Sequence, residues 1–389
     1  MIVFTFPGQG SQKPGMGDAW RDHPSWELVT EASAVLGRDL EHLLLSTEAG
    51  ELTRTDNAQL STFLTSLVVL DAVERLGVEP AATAGHSLGE YTALVASGAL
   101  AFEEGLQLVA ERGAAMLDAT TARIGTMAAV LGLDDDDVEA ACARVDGDVW
   151  VANYNAPGQV VIAGDPDALA RASEIAKELG AKKVMSMAVS GAFHTPFMAP
   201  ARDRLRSAIG NADLRDAGLP VYANVDARAH SGAEWTELLN AQLCSPVRWR
   251  QILHNLDDAG ATVFIELGPG NVLTGMAKRT VSGAKTLSVS TPDDLDKLLT
   301  ALAAPVETVE VHEGEHLFAT ERMVVSPAAG VFAPAVGLAP GFVLTPGTVL
   351  GTVGDQEVRS PFAGTLVGVL AVEGERVTTS QPIAWLRTA

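Results

Sequence analysis

Apolar residues repeat at two spacings along most of this chain, and a third pattern replaces them near its end. Ile2–Phe6 is a short apolar run that reads as a strand, closed by Pro7-Gly8-Gln9-Gly10-Ser11-Gln12. Glycines at a strand end let backbone approach a ligand closely, and open α/β sheets bind ligands along that edge. Residues 24–46 and 56–76 carry helical spacing. In the second, Leu60, Leu64, Leu67, Val68 and Leu70 form an apolar face that Gly77 ends. Residues 81–84 read as a strand running into Gly85-His86-Ser87-Leu88-Gly89, followed by helix formers. Phe102, Leu106, Val109, Gly113 and Leu117 again repeat at helical spacing, with Arg112 on the border of the stripe. A charge there snorkels, pairs with a neighbour such as Glu111, or points into a cleft.

Residues 126–189 have their own rhythm: strand 127–131, helix 134–144, strands 149–154 and 159–163, helix 167–179 and strand 182–187. This βαββαβ order predicts a ferredoxin-like unit. It reads as an insertion, because α/β spacing returns in helix 201–209, strands 219–223 and 262–265, and a last helix to about residue 303. From Pro305 helical spacing disappears. Val324-Val325-Ser326-Pro327 recurs 34 residues later as Val358-Arg359-Ser360-Pro361, and Val343, Thr345 and Val349 align with Val377, Thr379 and Ile383. Two such halves predict a small β-sandwich with pseudo-two-fold symmetry.

Composition narrows the function. With 47% hydrophobic and 20% charged residues, the 389-residue chain is globular and long enough for two or three domains. A net charge of −22 argues against nucleic acid and anionic membranes as partners, so an anionic substrate must meet a few local cations. Cys142 and Cys244 cannot supply a disulfide framework or a multi-cysteine metal site and read as small buried or half-buried residues. The acidic run 134–137 reads as a helix N-terminal charge cluster, so no metal is expected. No apolar run reaches membrane-span length. The first residues lack the basic start of a signal peptide, so the default compartment is the cytoplasm.

Gly85-His86-Ser87-Leu88-Gly89 fits the Gly-x-Ser-x-Gly elbow, which stands a serine Oγ at a helix N-terminus where backbone N–H groups favour negative charge. Read alone, it could equally be a tight turn with an inert serine. His194, in a loop bounded by Gly191 and Pro196, is either a surface residue or a base.

Taken in order, Phe6-Pro7-Gly8-Gln9-Gly10-Ser11-Gln12, the elbow through Glu90-Tyr91, Glu111-Arg112-Gly113, Asn153-Tyr154-Asn155-Ala156-Pro157-Gly158-Gln159, Phe193-His194 and Gln242…Pro246-Val247-Arg248-Trp249 resemble the acyl carrier protein S-malonyltransferase family. The resemblance covers residues 1–303. It implies an α/β-hydrolase-like core (1–125 and 190–303) with a ferredoxin-like insert (126–189). By the same resemblance Ser87 is the nucleophile and His194 its base, oriented by a backbone carbonyl near Gln242 with no acidic partner. The backbone N–H groups of Gln9 and Leu88 form the oxyanion hole. Arg112 holds the malonyl carboxylate. Gln59, Phe193, Gln242, His86 and Asn155 complete the substrate-binding set. Phe193 matches the malonyl-selecting form of its loop in related polyketide acyltransferases, or else only packs against the insert.

The implied activity is ping-pong transfer of malonyl from malonyl-CoA to the phosphopantetheine thiol of acyl carrier protein, for fatty acid or polyketide synthesis. A monomeric core is expected, with a basic docking rim drawn from Lys182, Lys183, Arg202, Arg204 and Arg206. The alternatives are a serine thioesterase or esterase, and a non-catalytic scaffold docking through its C-terminal domain. That domain, 305–389, resembles the all-β barrel-sandwich of biotinyl/lipoyl carriers. Its turn, Gly354-Asp355-Gln356, lacks the carrier lysine and no lysine follows Lys297. No cofactor, biotin and lipoate included, is expected.

Overall fold

The computed structural model describes residues 1–189, 191–303 and 321–387, so Ser190 and the segment 304–320 lie outside the described residues. The chain divides into two compact units, Met1–Ala304 and Pro305–Ala389. No helix among the described residues is long and apolar enough to cross a membrane.

The first unit is a mixed α/β fold. Its central sheet runs Lys285–Val289, Val263–Leu267, Ile2–Phe6, Ala82–Gly85, Val221–Tyr222, Ala229–His230. The first five strands are parallel and only the last pair is antiparallel. Ile2–Phe6 and Ala82–Gly85 lie side by side with Phe6 opposite Gly85. The loops leaving both strands therefore emerge at the same sheet edge.

The helix Thr55–Glu74 departs from the one-faced stripe expected of it. Besides the leucines, Gln59, Ser61, Thr62, Thr65 and Ser66 are buried. It packs between Phe102–Ala122 and the sheet, so its polar side serves the interior as well. Residues 24–46 break into Glu27–Leu36 and Leu40–Leu45, because Gly37 turns left-handed at φ 59° and Asp39 caps the second helix. The strand expected over 219–223 shrinks to Val221–Tyr222, and Lys285–Val289 is a strand that the apolar spacing did not reveal.

Residues 126–186 form a separate four-stranded antiparallel sheet, ordered Val149–Ala156, Gln159–Gly164, Thr126–Leu131, Lys183–Ser186. This is the strand order of a ferredoxin-like unit. The insert is tied to the core by a short parallel bridge. Tyr154 N–H donates to Val247 O and Val247 N–H to Ala152 O, both at 2.9 Å. Arg250 of the core adds a two-pronged ion pair with Asp135 at the start of an insert helix.

The second unit has two four-stranded sheets whose orders mirror each other. Glu321–Val325, Pro382–Arg387, Gly364–Val369, Val343–Leu344 make one, and Gln356–Arg359, Val349–Val353, Gly330–Pro334, Arg376–Val377 the other. Buried Ser326 and Ser360, 34 residues apart, each donate Oγ to the carbonyl two residues on, Ala328 and Phe362. The alignment of Val343 with Val377 needs correction, since Val343 is exposed and Val377 buried. Leu344 and Val377, Leu350 and Ile383, and Val353 and Leu386 share burial at a spacing of 33. One residue is lost between the halves, and a one-residue slip in a strand exchanges its two faces.

Candidate active site

The elbow is built by close approach. A Cβ on Gly85 would lie 1.8 Å from Gly89 O, and one on Gly89 would lie 2.0 Å from Phe6 O. Only hydrogen fits at either place, so the helix Gly89–Ala96 can start against the strand end. Between the glycines Ser87 adopts φ 53°, a left-handed conformation that a side chain adopts only where the surroundings enforce it. The surroundings are Asn224, at the end of the neighbouring strand. Its Oδ1 accepts from Ser87 N–H at 2.7 Å, and its Nδ2 donates to Gly85 O at 2.7 Å.

Ser87 Oγ has two partners. His194 Nε2 is 2.7 Å away, and Arg112 Nη2 donates to it at 3.1 Å. His194 is itself left-handed, at φ 61°, and its Nδ1 lies 3.0 Å from Gln242 O. A ring with Nδ1–H on a carbonyl presents a bare Nε2 to the serine hydroxyl, which is the tautomer a general base requires. Burial, and then the positive charge of Arg112, pull the His194 pKa down to about 3. The imidazole is neutral throughout the physiological range.

Arg112 is 1% exposed. It neither snorkels nor pairs with Glu111, which instead meets Arg204. Nη1 donates to Gln59 Oε1 at 2.5 Å and Nη2 to Gln242 Oε1 at 2.9 Å, while the Tyr91 ring centroid is 5.4 Å from its guanidinium carbon. Burial lowers its pKa from the ordinary guanidinium range, with Tyr91 and Glu90 offsetting part of this. Its Nε–H is buried without a partner among the described residues, so the donor is unspent.

Ser87, His194 and Arg112 face a cavity of about 310 Å³ with Gln9, His86, Asn155 and Phe193. Its apolar walls come from both lobes: Met127, Ala129 and Val161 from the insert, and Val272, Leu273 and Met276 from the core. His86 Nε2 lies 2.9 Å from Asn155 Oδ1, and burial lowers its pKa so that it too is neutral. Phe193, 6% exposed, both lines the cavity and belongs to the main core. Leu88 opens the elbow helix beside Ser87 with its side chain buried.

Gln59 and Gln242 were expected against substrate, and the structure puts them elsewhere. Both are fully buried and neither lines the cavity; they grip Arg112 from behind. The expected docking rim is also reduced. Arg204 is tied to Glu111 and Asp118, and Arg202 to Asp203. The Lys182 stem lies over Gly132, but Lys182, Lys183 and Arg206 are all exposed. Two residues of the site were not singled out from sequence: Asn224, and Glu90, the lone charge in the elbow helix. A carboxylate among apolar helix positions was the signal available for Glu90. Asn224 gave none beyond lying after a strand of the same sheet.

The family model described as acyl transferase domain matches residues 3–301. The malonyl CoA-acyl carrier protein transacylase of Bacillus subtilis (strain 168) is 42% identical over 307 residues, covering 77% of this chain and 97% of its own. This chain belongs to the malonyl CoA-acyl carrier protein transacylase family. Solved transacylases agree with the fold: the acyl-carrier-protein S-malonyltransferase of Burkholderia pseudomallei is 42% identical with a TM-score of 0.74, covering 77% of this chain and 99% of its own. A type II PKS malonyl-transacylase solved in complex with its acyl-carrier protein is 35% identical with a TM-score of 0.75, again covering 77% and 99%. These transacylases do not address the C-terminal unit.

Proposed function

We propose that this protein transfers malonyl from malonyl-CoA to the phosphopantetheine thiol of acyl carrier protein through an ester on Ser87, as its transacylase relatives are named for doing. The observation that carries the reading is the place of Ser87 Oγ between a neutral imidazole and a buried guanidinium. His194 Nε2 takes the hydroxyl proton as Oγ attacks the thioester carbon. The tetrahedral oxyanion is met by the N–H groups of Gln9 and Leu88, and CoA leaves as the thiol once His194 returns the proton. The thiol of the carrier arm then repeats the sequence on the ester. Ser87 N–H is already donated to Asn224, which favours the next amide, Leu88, for the oxyanion.

Selectivity follows from charge. At neutral pH His194 and His86 are uncharged, and Arg112 is the cation among the residues lining the cavity. An acyl group bearing a carboxylate neutralises it, and a neutral acyl group leaves it bare. His86 and Asn155 line the same cavity as polar contacts for the thioester end. Lys182, Lys183 and Arg206 are the rim cations left for an acidic carrier protein. A cytoplasmic location belongs to the same reading, since Cys142 and Cys244 are both free thiols. We assign the second unit to the biotinyl/lipoyl-like barrel-sandwiches, supported by its doubled sheets, as an unmodified docking or tethering module with no cofactor.

The test is intact mass after incubation with malonyl-CoA alone. One malonyl adduct should appear, mapping to Ser87, and Ser87→Ala should show none. An adduct persisting in Ser87→Ala would overturn the reading.

A further inference from the structure

Glu90 is fully buried beside the catalytic serine, and both of its oxygens are occupied. Oε1 accepts from Asn224 N–H at 2.6 Å, and Oε2 accepts from Gln242 Nε2 at 2.5 Å. The second contact matters because an amide has one acceptor end and one donor end. Gln242 Nε2 also donates to Ser87 O at 2.8 Å. With its donor end held by two acceptors, Gln242 must turn Oε1 toward Arg112, where Nη2 meets it at 2.9 Å. The reversed amide would set an NH₂ against a guanidinium N–H, two donors facing each other.

We propose that Glu90 is a positioning residue for acyl-group selection: by fixing the amide of Gln242 it fixes the aim of Arg112 on the substrate carboxylate. The inference rests on the reading of Arg112 as the carboxylate clamp. Glu90 touches no substrate; it works through Gln242. Its other oxygen, on Asn224, joins the same carboxyl to the residue that holds the elbow. Arg112 can swing only if Gln242 gives, because Gln59 holds the opposite nitrogen.

Glu90→Gln tests this at nearly constant volume. A carboxamide can accept with one end only, so it must face an NH₂ to either Asn224 N–H or Gln242 Nε2. The measurement is kcat/KM for Ser87 acylation by malonyl-CoA and by acetyl-CoA, taken as a ratio. In Glu90→Gln the malonyl-to-acetyl ratio should fall at least fivefold, mostly through a higher KM for malonyl-CoA. Gln242→Met cuts the link from the other end and should lower the ratio likewise, while the double variant should be no worse than Gln242→Met alone. If Glu90→Gln does not yield folded protein, Gln242→Met carries the same expectation. A ratio held within twofold in these variants, or losses that add in the double variant, would overturn the proposal. Arg112→Ala runs alongside. If it leaves the ratio unchanged, the clamp reading has failed; if it collapses the ratio and Glu90→Gln does not, only the role of Glu90 has failed.

Discussion

The buried imidazole makes a prediction about pH. An ordinary histidine, with pKa near 6.5, would be about nine-tenths protonated at pH 5.5 and would slow a base-dependent step roughly tenfold. His194, held at about 3 by burial and by Arg112, stays neutral there. Acylation kcat/KM, which reports the free enzyme, should therefore be flat from pH 8 to pH 5. The substrate should be malonyl-pantetheine, which carries no phosphate to titrate in that range, with the Ser87 ester read by quenched intact mass. His194→Ala should slow acylation roughly 10²–10⁴-fold at every pH. Stability carries the same signature. The folded pKa is depressed, so the contribution is present above pH 6.5 and is lost as pH falls toward 3, because the unfolded chain takes up a proton the folded chain refuses. Between pH 6.5 and 5 that amounts to about 2 kcal/mol. The stability difference between wild type and His194→Gln in urea should shift by that order in favour of the variant. An acylation profile with a step near pH 6.5 that vanishes in His194→Ala would refute the assignment. On the proposed clamp, a malonyl carboxylate on Arg112 would offset the lesser, electrostatic part of the His194 depression, burial being the larger part, so the base would strengthen when that acyl group is bound.

Gly89→Ala should be among the most damaging single-methyl changes in the chain, because its Cβ would sit 2.0 Å from Phe6 O; a loss of about 1–3 kcal/mol or more in urea unfolding is expected, and unchanged stability would contradict the packing of the elbow. The C-terminal unit should carry neither biotin nor lipoate by intact mass, since no lysine follows Lys297. A chain cut after residue 303 should retain transfer to free carrier protein, and loss of all activity would mean that the unit stabilises the core.

Local chemistry was legible wherever one short stretch carries its own reason. Gly85 and Gly89 flank a serine because no Cβ fits at either place, and that follows from a pentapeptide. The insert was legible because its strands and helices follow one another closely, and its sheet has the expected order. Less was legible where the cause is remote. Lys285–Val289 carries Lys, Thr and Ser, and is a strand because Val263–Leu267 offers it an edge. The polar residues of Thr55–Glu74 look like a solvent face until the sheet and the Arg112 helix close over them. The C-terminal repeat was legible as a repeat, but the lost residue showed only in which side chains are buried.

The site divides along the same line. Ser87, His194 and Arg112 each sit in a recognisable motif. What sets their directions is a web of amides and one carboxyl reaching across the chain: the Asn224 amide to Ser87, the Gln242 amide to Arg112, and Glu90 to the Asn224 backbone N–H and the Gln242 amide. Residues of that kind have no spacing rule, because their partners lie more than a hundred residues away. Gln59 and Gln242 illustrate the consequence. As isolated polar residues in matching motifs they read as substrate contacts, and only the packing shows that they hold the guanidinium instead. A clamp of one charge needs such backing. A lone buried arginine could satisfy itself on Ser87 Oγ, which its Nη2 already reaches. Two amide oxygens behind the guanidinium, one of them held through Glu90, keep its plane in place beside Ser87.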